Sequence, residues 1–579
     1  MIDDARLLPA DCHLKADICI IGAGAAGITL ALALSNHRCR TIVLESGGLT
    51  YQSDIQNLYA GVNSGLRYEP LDLCRVRMFG GSTDRRGWGG WSKPFAPMDF
   101  EARPWVPLSG WPVTRAELEP FYQRAYATLS LPGGTETYAD AQSRGPNCIP
   151  VSGPSVHNEP CALSPFPHLA NKAADVLRLS HDVRVLLHAN VTQLVTDATG
   201  NNCHAVNVTT LAGKPFRVSA AFVVLAAGGI ENARILLLSD AVRRDGLGNA
   251  SGFVGRCFME HPRFAWGEIS TGADAAINQK LRSYDPSVIT AQRLGDALLP
   301  NVQPLFGASL AITEAAQRRE EILGARTWIL PVSNRGDRPA AREFKELVTW
   351  LKKGRVPSDA LLRVRQIMGN IPNSVEAVAA HFLARVRPAP KWQFITVLEQ
   401  EPDPESRVLL HSSRDRLGLR RAELKWRVGS LTQKTIVRTR ELIAEEVRRA
   451  GLDCQVEGKG GAEANQAVTE ARWVWHHMGT TRMSGDPKNG VVDPDGRVHG
   501  MQNLFIAGSS IFPTGGNDMP TLTIIALAHR LGDHLKSMLA KHLGTAARTS
   551  APSVMPMLAQ APQEIAQPAN TRGVARVWS

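Results

Sequence analysis

The stretch Ala16–Gly48, ADICIIGAGAAGITLALALSNHRCRTIVLESGG, constrains the fold of this chain more than any other. Asp17–Ile21 is a short apolar run ending at a glycine, the pattern of a buried parallel strand. Gly22-Ala23-Gly24-Ala25-Ala26-Gly27 follows with a distinctive spacing. In it the first glycine makes a tight turn, the second lets the backbone approach a pyrophosphate, and the third lets a helix pack on a strand. Ile28–Leu34 continues as an apolar helix, and Thr41–Leu44 as a second strand ending at Glu45. A pyrophosphate needs backbone N–H donors and the positive end of a helix dipole with no side chain in the way, and a carboxylate after the second strand can accept both ribose hydroxyls. Strand, turn, helix, strand and acid are in register and no proline interrupts them. The stretch therefore predicts a Rossmann-like dinucleotide site in an α/β fold, against the plainer reading of a glycine-rich turn in an ordinary α/β core. It does not separate FAD from NAD.

A chain of 579 residues, 44% of them hydrophobic, can bury a large core and is too long for one simple domain, so two closely joined domains are expected. The net charge of +11 is modest for this length. No Lys/Arg block interleaved with aromatics points to nucleic acid, and the basic surface reads as solvated, with an anionic partner or a membrane surface as the alternative. The nine cysteines are scattered, with no CxxC pair and no His/Cys cluster of metal-ligand spacing, which predicts reduced thiols and no metal. The opening residues MIDDARLLPADCHLKAD are acidic and lack the basic and apolar regions of a secretory signal. Nor does any run of about eighteen apolar residues occur. The expectation is a cytoplasmic protein without a transmembrane segment; export in the company of a signal-bearing partner is the alternative.

Beyond the fingerprint, Met78–Trp91 (MFGGSTDRRGWGGW) is too rich in glycine for a helix or an interior strand. Two readings stay open, a loop whose backbone approaches something flat or charged and a tight turn with Trp88 and Trp91 packed in the core. Thr114 and Glu117 form a capping box opening a helix. Alternation at Val183, Val185, Leu187, Val191 and Leu194 predicts paired strands, and Phe222–Leu225 another buried strand running through Ala226-Ala227-Gly228-Gly229 into a helix at Glu231. From Gly267 to Pro388 strand patterning is lost and Ala, Arg and Leu dominate. Phe344, Leu347, Val348 and Leu351 fall at helical spacing with lysines around the turn, a helix packed by one face or a docking surface for a membrane or an electron-accepting protein. Strand patterning resumes at Phe394–Leu398, and Leu431–Ala450 reads as a long helix closed by Gly451. From Thr545 onward the composition is that of a disordered tail.

The densest chemical signal is Trp475-His476-His477-Met478-Gly479-Thr480-Thr481-Arg482-Met483 with the AGSSIFPTGGNDMPTLTIIALA stretch that follows. Leu504–Ala507 reads as a strand, Gly508–Asp518 as a loop, and Pro520 as the first residue of a long apolar helix, where a missing N–H costs nothing. Taken together with GAGAAG and Glu45, FGGS, WGGW, LAAGGIENARILL, GRCFMEHP at 255–262, EQEPDPESRVLL at 399–410 and HHMGTTRM, the chain resembles the glucose-methanol-choline (GMC) oxidoreductases over nearly its whole length to about residue 540.

That resemblance implies FAD, a Rossmann-like FAD-binding domain built from discontinuous segments (12–262 and 486–542), an inserted α+β substrate-binding domain (263–485, with a helical insert over 310–388) and a tail from 545 to 579. It implies oxidation of an alcohol, sugar or polyol-like or another primary or secondary alcohol, by hydride transfer to the flavin while a histidine takes the hydroxyl proton. Counting back from Gly479-Thr480 puts His476 on the family's base, with His477 beside it on the opposite face of an extended segment. The implied FAD-binding set is Gly22, Gly24, Ala25, Ala26, Gly27, Glu45 and Ser46 at the dinucleotide end. It continues with Gly80, Gly81, Ser82, Gly89 and Gly90 in the loop, Val191 and Ala227 in the sheet, and Gly508, Ser509, Gly515, Gly516, Met519 and Thr521 at the C-terminal side.

Two departures from the family pattern stand out. Where relatives carry a second active-site His or Asn, this chain has Met519, a weak acceptor that donates nothing, so Asn517 or Asp518 is expected to orient the hydroxyl in its place. The loop also has Asp84-Arg85-Arg86-Gly87 and no histidine, so the FAD is expected to be held without a covalent link. Oxygen, a quinone or a cytochrome remain open as electron acceptors, as does a small or cytochrome partner subunit. Two rival functions follow from the same sequence: a lyase on the same flavin fold without net redox turnover, and a binding or scaffold subunit of a membrane-associated dehydrogenase complex.

Overall fold

The computed structural model describes residues 1–84, 91–131, 147–151, 153–163, 169–272, 274–285, 305–332, 391–456, 474–517 and 519–549. One compact unit spans Met1–Lys536; Ser537–Ser579 form a separate unit, of which the described part continues the helix Thr521–Thr549. Thr545–Thr549, expected in the tail, are thus helical, in keeping with the alanines and arginine of that turn.

The first unit is built on two large sheets. In the first, the strands Ile2–Asp4, Val183–Leu187, Thr41–Leu44, His13–Ile21 and Pro215–Leu225 run parallel in that spatial order. Leu504–Ile506 adds in parallel to the C-terminal end of Pro215–Leu225. Cys203–Thr209 and then Asn190–Thr196 add antiparallel at its N-terminal end. The parallel strands are continuous apolar runs because both faces are covered: Ile18, Cys19, Ile20, Val223, Val224, Leu225 and Phe505 are wholly buried. The alternation across 183–194 marks two strands that do not pair with each other. Val183–Leu187 joins Thr41–Leu44, and Asn190–Thr196 joins Cys203–Thr209. Leu504–Ile506 comes from the far end of the chain, so the sheet is completed only by a segment that has passed through the rest of the molecule.

The second sheet is antiparallel in the order Cys454–Gln455, Arg263–Ser270, Lys391–Leu398, Ala325–Pro331, Leu305–Ile312, Val156–Leu163, Trp91–Ser92. One face packs on the helix Ser430–Arg449, whose Ile436, Leu442, Ile443 and Val447 meet Phe264, Trp266, Leu310, Ile329 and Phe394. Trp266 stacks on Phe394 at 4.6 Å. The opposite face carries Cys161, Trp328 and Ile395, with Met519 packed against them.

Two boundaries differ from the sequence reading. Val156–Leu163 and Trp91–Ser92, inside the expected FAD-binding segment 12–262, belong to the second sheet. Leu305–Ile312 and Ala325–Pro331 are strands, the latter and the end of the former lying inside the expected helical insert. Ala308–Ile312 and Ala325–Ile329 give no alternating pattern because every one of these residues is buried, covered by facing strands and packed neighbours. Between them Glu314–Glu320 is a helix, and residues 333–388 of that insert, with Phe344–Leu351, lie outside the described residues. Elsewhere the elements fall where periodicity puts them: Ala25–Leu34, Glu231–Leu238 and Ser430–Arg449 are helices, and Arg115–Thr128 opens with Thr114 and Glu117 in a reciprocal capping box.

Candidate active site

The dinucleotide end forms where the strand His13–Ile21 turns into the helix Ala25–Leu34. A side chain at Gly22, whose φ is +103°, would meet the Ala226 carbonyl oxygen at 2.6 Å, and one at Gly27 would meet that of Gly22 at 1.9 Å. These glycines serve the close packing of helix, turn and the Ala226-Ala227 corner. Gly24 differs: a Cβ there meets nothing within 4 Å, and as the helix N-cap it offers no side chain to the first turn. The N–H groups of Ala25, Ala26 and Gly27 therefore begin a helix whose mouth the protein itself does not fill, which fits a pyrophosphate. Gly80 N–H donates to Ala23 O (2.8 Å), and a Cβ on Gly81 would reach Gly24 at 3.1 Å, so the FGGS loop closes over this mouth. Ser82 Oγ accepts from Val76 N–H within the same loop.

Glu45 is buried, and its carboxylate accepts from Ala23 N–H (2.9 Å) and Gly47 N–H (2.8 Å). Burial raises its pKa, opposed by those N–H donors and by Arg77. Ser46 Oγ donates to Asn190 Oδ1 and accepts from Arg77 Nε. Ala189 N–H donates to Glu45 O, which brings the start of the strand containing Val191 beside this acid. The donor set, an open helix N-terminus flanked by a buried carboxylate, matches what the ADP half of FAD requires.

The other end is laced together from four distant segments. His477–Met483 runs alongside Ser509–Ile511, with Gly479, Thr481 and Met483 N–H donating to Ser509, Ser510 and Ile511 O, and Ser509 Oγ to His477 O. Met478 and Met259 exchange two backbone hydrogen bonds of 3.0 Å, which aligns the segment ending Glu260-His261 with His476-His477. Asn232 ties in the glycine corner, accepting from Ala227 N–H and donating to Ala507 O and Ser510 Oγ. Gly508, at φ +105°, has only Ala26 Cβ near its own missing side chain, at 4.0 Å.

The two histidines separate as adjacent residues of an extended segment should. His477 is buried against Tyr68 and Phe258, and its Nε2 lies 2.9 Å from Tyr68 Oη. With Glu260 ionised, Tyr68 gives its one hydrogen to Glu260 Oε2 (2.5 Å) and His477 is the donor at Nε2. Burial, with the charge of Arg75, pushes its pKa down to about 3. Glu260 also accepts from the backbone N–H of His261 (2.9 Å) and His476 (2.8 Å), and burial pushes it up to about 7 against those donors.

His476 is half-buried and turns the other way, its Nδ1 2.8 Å from Nδ1 of His261. His261 Nε2 faces two carbonyl oxygens, Gly515 (3.2 Å) and Gly516 (2.8 Å), which can only accept. With neutral rings, His261 therefore carries its proton on Nε2 and accepts at Nδ1, His476 donates from Nδ1, and the lone pair of His476 stays on Nε2. Burial, then His261 and His477, holds the His476 pKa well below its ordinary value. Trp475 just before it sits in the left-handed region at φ +64°, a conformation that costs a non-glycine residue about 1 kcal/mol or more.

Asn517 lies against Gly324, Met519 packs on Cys161, Trp328 and Ile395, and Thr521 begins the long helix one residue after Pro520. Gly89, Gly90 and Asp518 lie outside the described residues. His261, Glu260 and Tyr68 are the site residues that sequence reasoning did not single out. GRCFMEHP contains two of them, but nothing in spacing connects residue 261 with residue 476.

The family model described as GMC oxidoreductase matches residues 402–528, and that described as FAD dependent oxidoreductase matches residues 17–243. The chain is similar to paromamine 6'-oxidase of Streptomyces fradiae, 26% identical with 89% of this chain and 90% of that protein covered. It is also 26% identical to the fructose dehydrogenase large subunit of Gluconobacter japonicus, over 60% of this chain and 53% of that one. Among solved structures, pyridoxine 4-oxidase from Mesorbium loti superposes with a TM-score of 0.54 at 17% identity, covering 90% of this chain and 99% of the other.

Proposed function

Since the chain belongs to the glucose-methanol-choline oxidoreductases, FAD-dependent enzymes that oxidise alcohols, we propose that it oxidises a carbinol carbon of a sugar, amino sugar or polyol with His476 as the base. The Gly22–Gly27 turn and Glu45 would hold FAD, which when bound would supply the acceptor for the carbinol's hydride. The observation that carries the role of His476 is its bond to His261, which leaves an unprotonated Nε2 to take the hydroxyl proton. His261 orients that ring, and Glu260 fixes its backbone through the His476 N–H. His477, spent as a donor to Tyr68, anchors the segment from the core side. Met519 supports the second sheet, which leaves Asn517, beside Gly324, as the described candidate for the second hydroxyl-binding group. Paromamine 6'-oxidase and fructose dehydrogenase both act on sugar-like compounds by their names, which supports a polyhydroxylated substrate; the latter, a large subunit, also supports a partner subunit.

The test is anaerobic mixing of the FAD-loaded protein with a panel of sugars, amino sugars, polyols and simple alcohols, followed by oxygen or a quinone. Bleaching near the flavin band with carbonyl product is expected. His476→Ala should keep FAD and lose turnover by about 10²–10⁴-fold. Competent conversion without bleaching would assign a lyase, and full turnover in His476→Ala would remove this residue from the reaction.

A further inference from the structure

The turn after the helix Glu231–Leu238 and the hairpin Arg407–Arg414/Arg420–Lys425 border an open cavity of about 250 Å³, outside the residues assigned to FAD and carbinol. Four arginines are among the residues that line it, Arg244, Arg256, Arg407 and Arg420, together with Asp245 and apolar residues such as Leu237 and Leu409. The local carboxylates do not balance these cations. Arg256 pairs with Glu405 at 2.7 Å and Arg420 with Asp240 at 2.8 Å. Glu405 is shared further: Lys425 lies 3.9 Å from it, and the hydrogen bond from Arg256 followed by the charge of Arg407 holds its pKa below the ordinary value. Among the described residues no carboxylate lies within ion-pair reach of Arg244 or Arg407.

Arginines in excess of their carboxylate partners favour an anionic ligand, and planar guanidinium forks match carboxylate and phosphate oxygens in pairs. The apolar side chains would be wasted on a bare inorganic ion. We propose that this cavity binds an oxyanion, carboxylate or phosphate, that carries a short apolar portion, in a volume of roughly eight waters.

The test is calorimetric titration of the FAD-loaded protein with inorganic phosphate and with hexyl phosphate. Saturable one-site binding is expected, tighter for hexyl phosphate, and weakened at least tenfold in Arg407→Gln and in Arg244→Glu with flavin absorbance unchanged. Arg244 is exposed, so its variant keeps the test decisive if Arg407→Gln fails to fold. Absence of saturable binding by the parent protein, or equal binding by a folded variant, would overturn the site. Co-sedimentation with phosphatidylglycerol but not phosphatidylcholine vesicles, competed by hexyl phosphate, would identify the anion as a lipid headgroup. Binding of hexyl phosphate without vesicle retention would identify a free small molecule.

Discussion

A single hydrogen bond between imidazoles sets His476, the proposed base, apart from its neighbour His477. His476 would be a weak choice on burial alone, since it is the less buried of the pair. The tautomers decide: His477 must donate to Tyr68, while the carbonyls of Gly515 and Gly516 fix His261 so that His476 presents a lone pair. His261→Ala removes that fixation without touching the dinucleotide end. We expect kcat to fall by a factor of ten to a hundred, about 1.4–3 kcal/mol, with KM and FAD content little changed. The acid limb of the kcat profile should also move, because loss of the His261 ring relieves one of the influences that depress the His476 pKa. An unchanged profile would assign His261 a packing role.

Glycines of the same motif do different work within one element, and their substitution separates folding from cofactor binding. The Gly27 position abuts the Gly22 carbonyl, whereas the Gly24 position opens onto space free of protein. Gly27→Ala should yield little soluble protein. Gly24→Ala should fold, at a cost within about 1 kcal/mol from the poorer N-cap, yet show a reduced ratio of flavin to protein absorbance. Equal flavin content in Gly24→Ala and the parent would mean that no pyrophosphate approaches here. At this scale sequence reading is strong where an element makes its own pattern, as in Thr41–Leu44 or the Thr114 capping box. It is weak where neighbours make it: Leu305–Ile312 has no alternation of its own and is a strand because Val156–Leu163 pairs with it throughout.

Across the whole molecule, buried polar links between distant segments hold the site together. Arg103 and Glu399, both wholly buried, form a two-bonded pair of 2.8 and 2.5 Å, and Glu399 also accepts from Gly324 N–H beside Asn517. Arg103→Ala leaves that carboxylate uncompensated and should cost about 3–5 kcal/mol, seen as a lower denaturation midpoint; Arg103→Met with Glu399→Leu should recover much of it. His477 couples stability to pH. The unfolded imidazole takes a proton near pH 6.5 and the folded one only near 3, so the unfolded state binds more protons in between. Stability from this group is complete above pH 6.5 and is lost as pH falls toward 3, by about 3 kcal/mol at pH 4. Glu260, raised to about 7, acts in the opposite sense, its contribution present below pH 4.5 and lost as pH rises to 7. The His477→Gln variant isolates the first effect: the parent's advantage over it in urea midpoint should shrink between pH 6.5 and 4. A constant difference would show that His477 titrates alike in both states. The amino-acid sequence by itself determined the dinucleotide turn, the apolar strands of the first sheet and the long helices, and it singled out residue 476 as the candidate base, because each is written in contiguous residues whose period, caps or spacing carry the physics locally. Only the tertiary structure decided that His261 sets the tautomer of that base, that Tyr68 and Glu260 hold its neighbour, and that Val156–Leu163 crosses into the second sheet. Those depend on hydrogen bonds between segments hundreds of residues apart, and no local pattern records such a pairing.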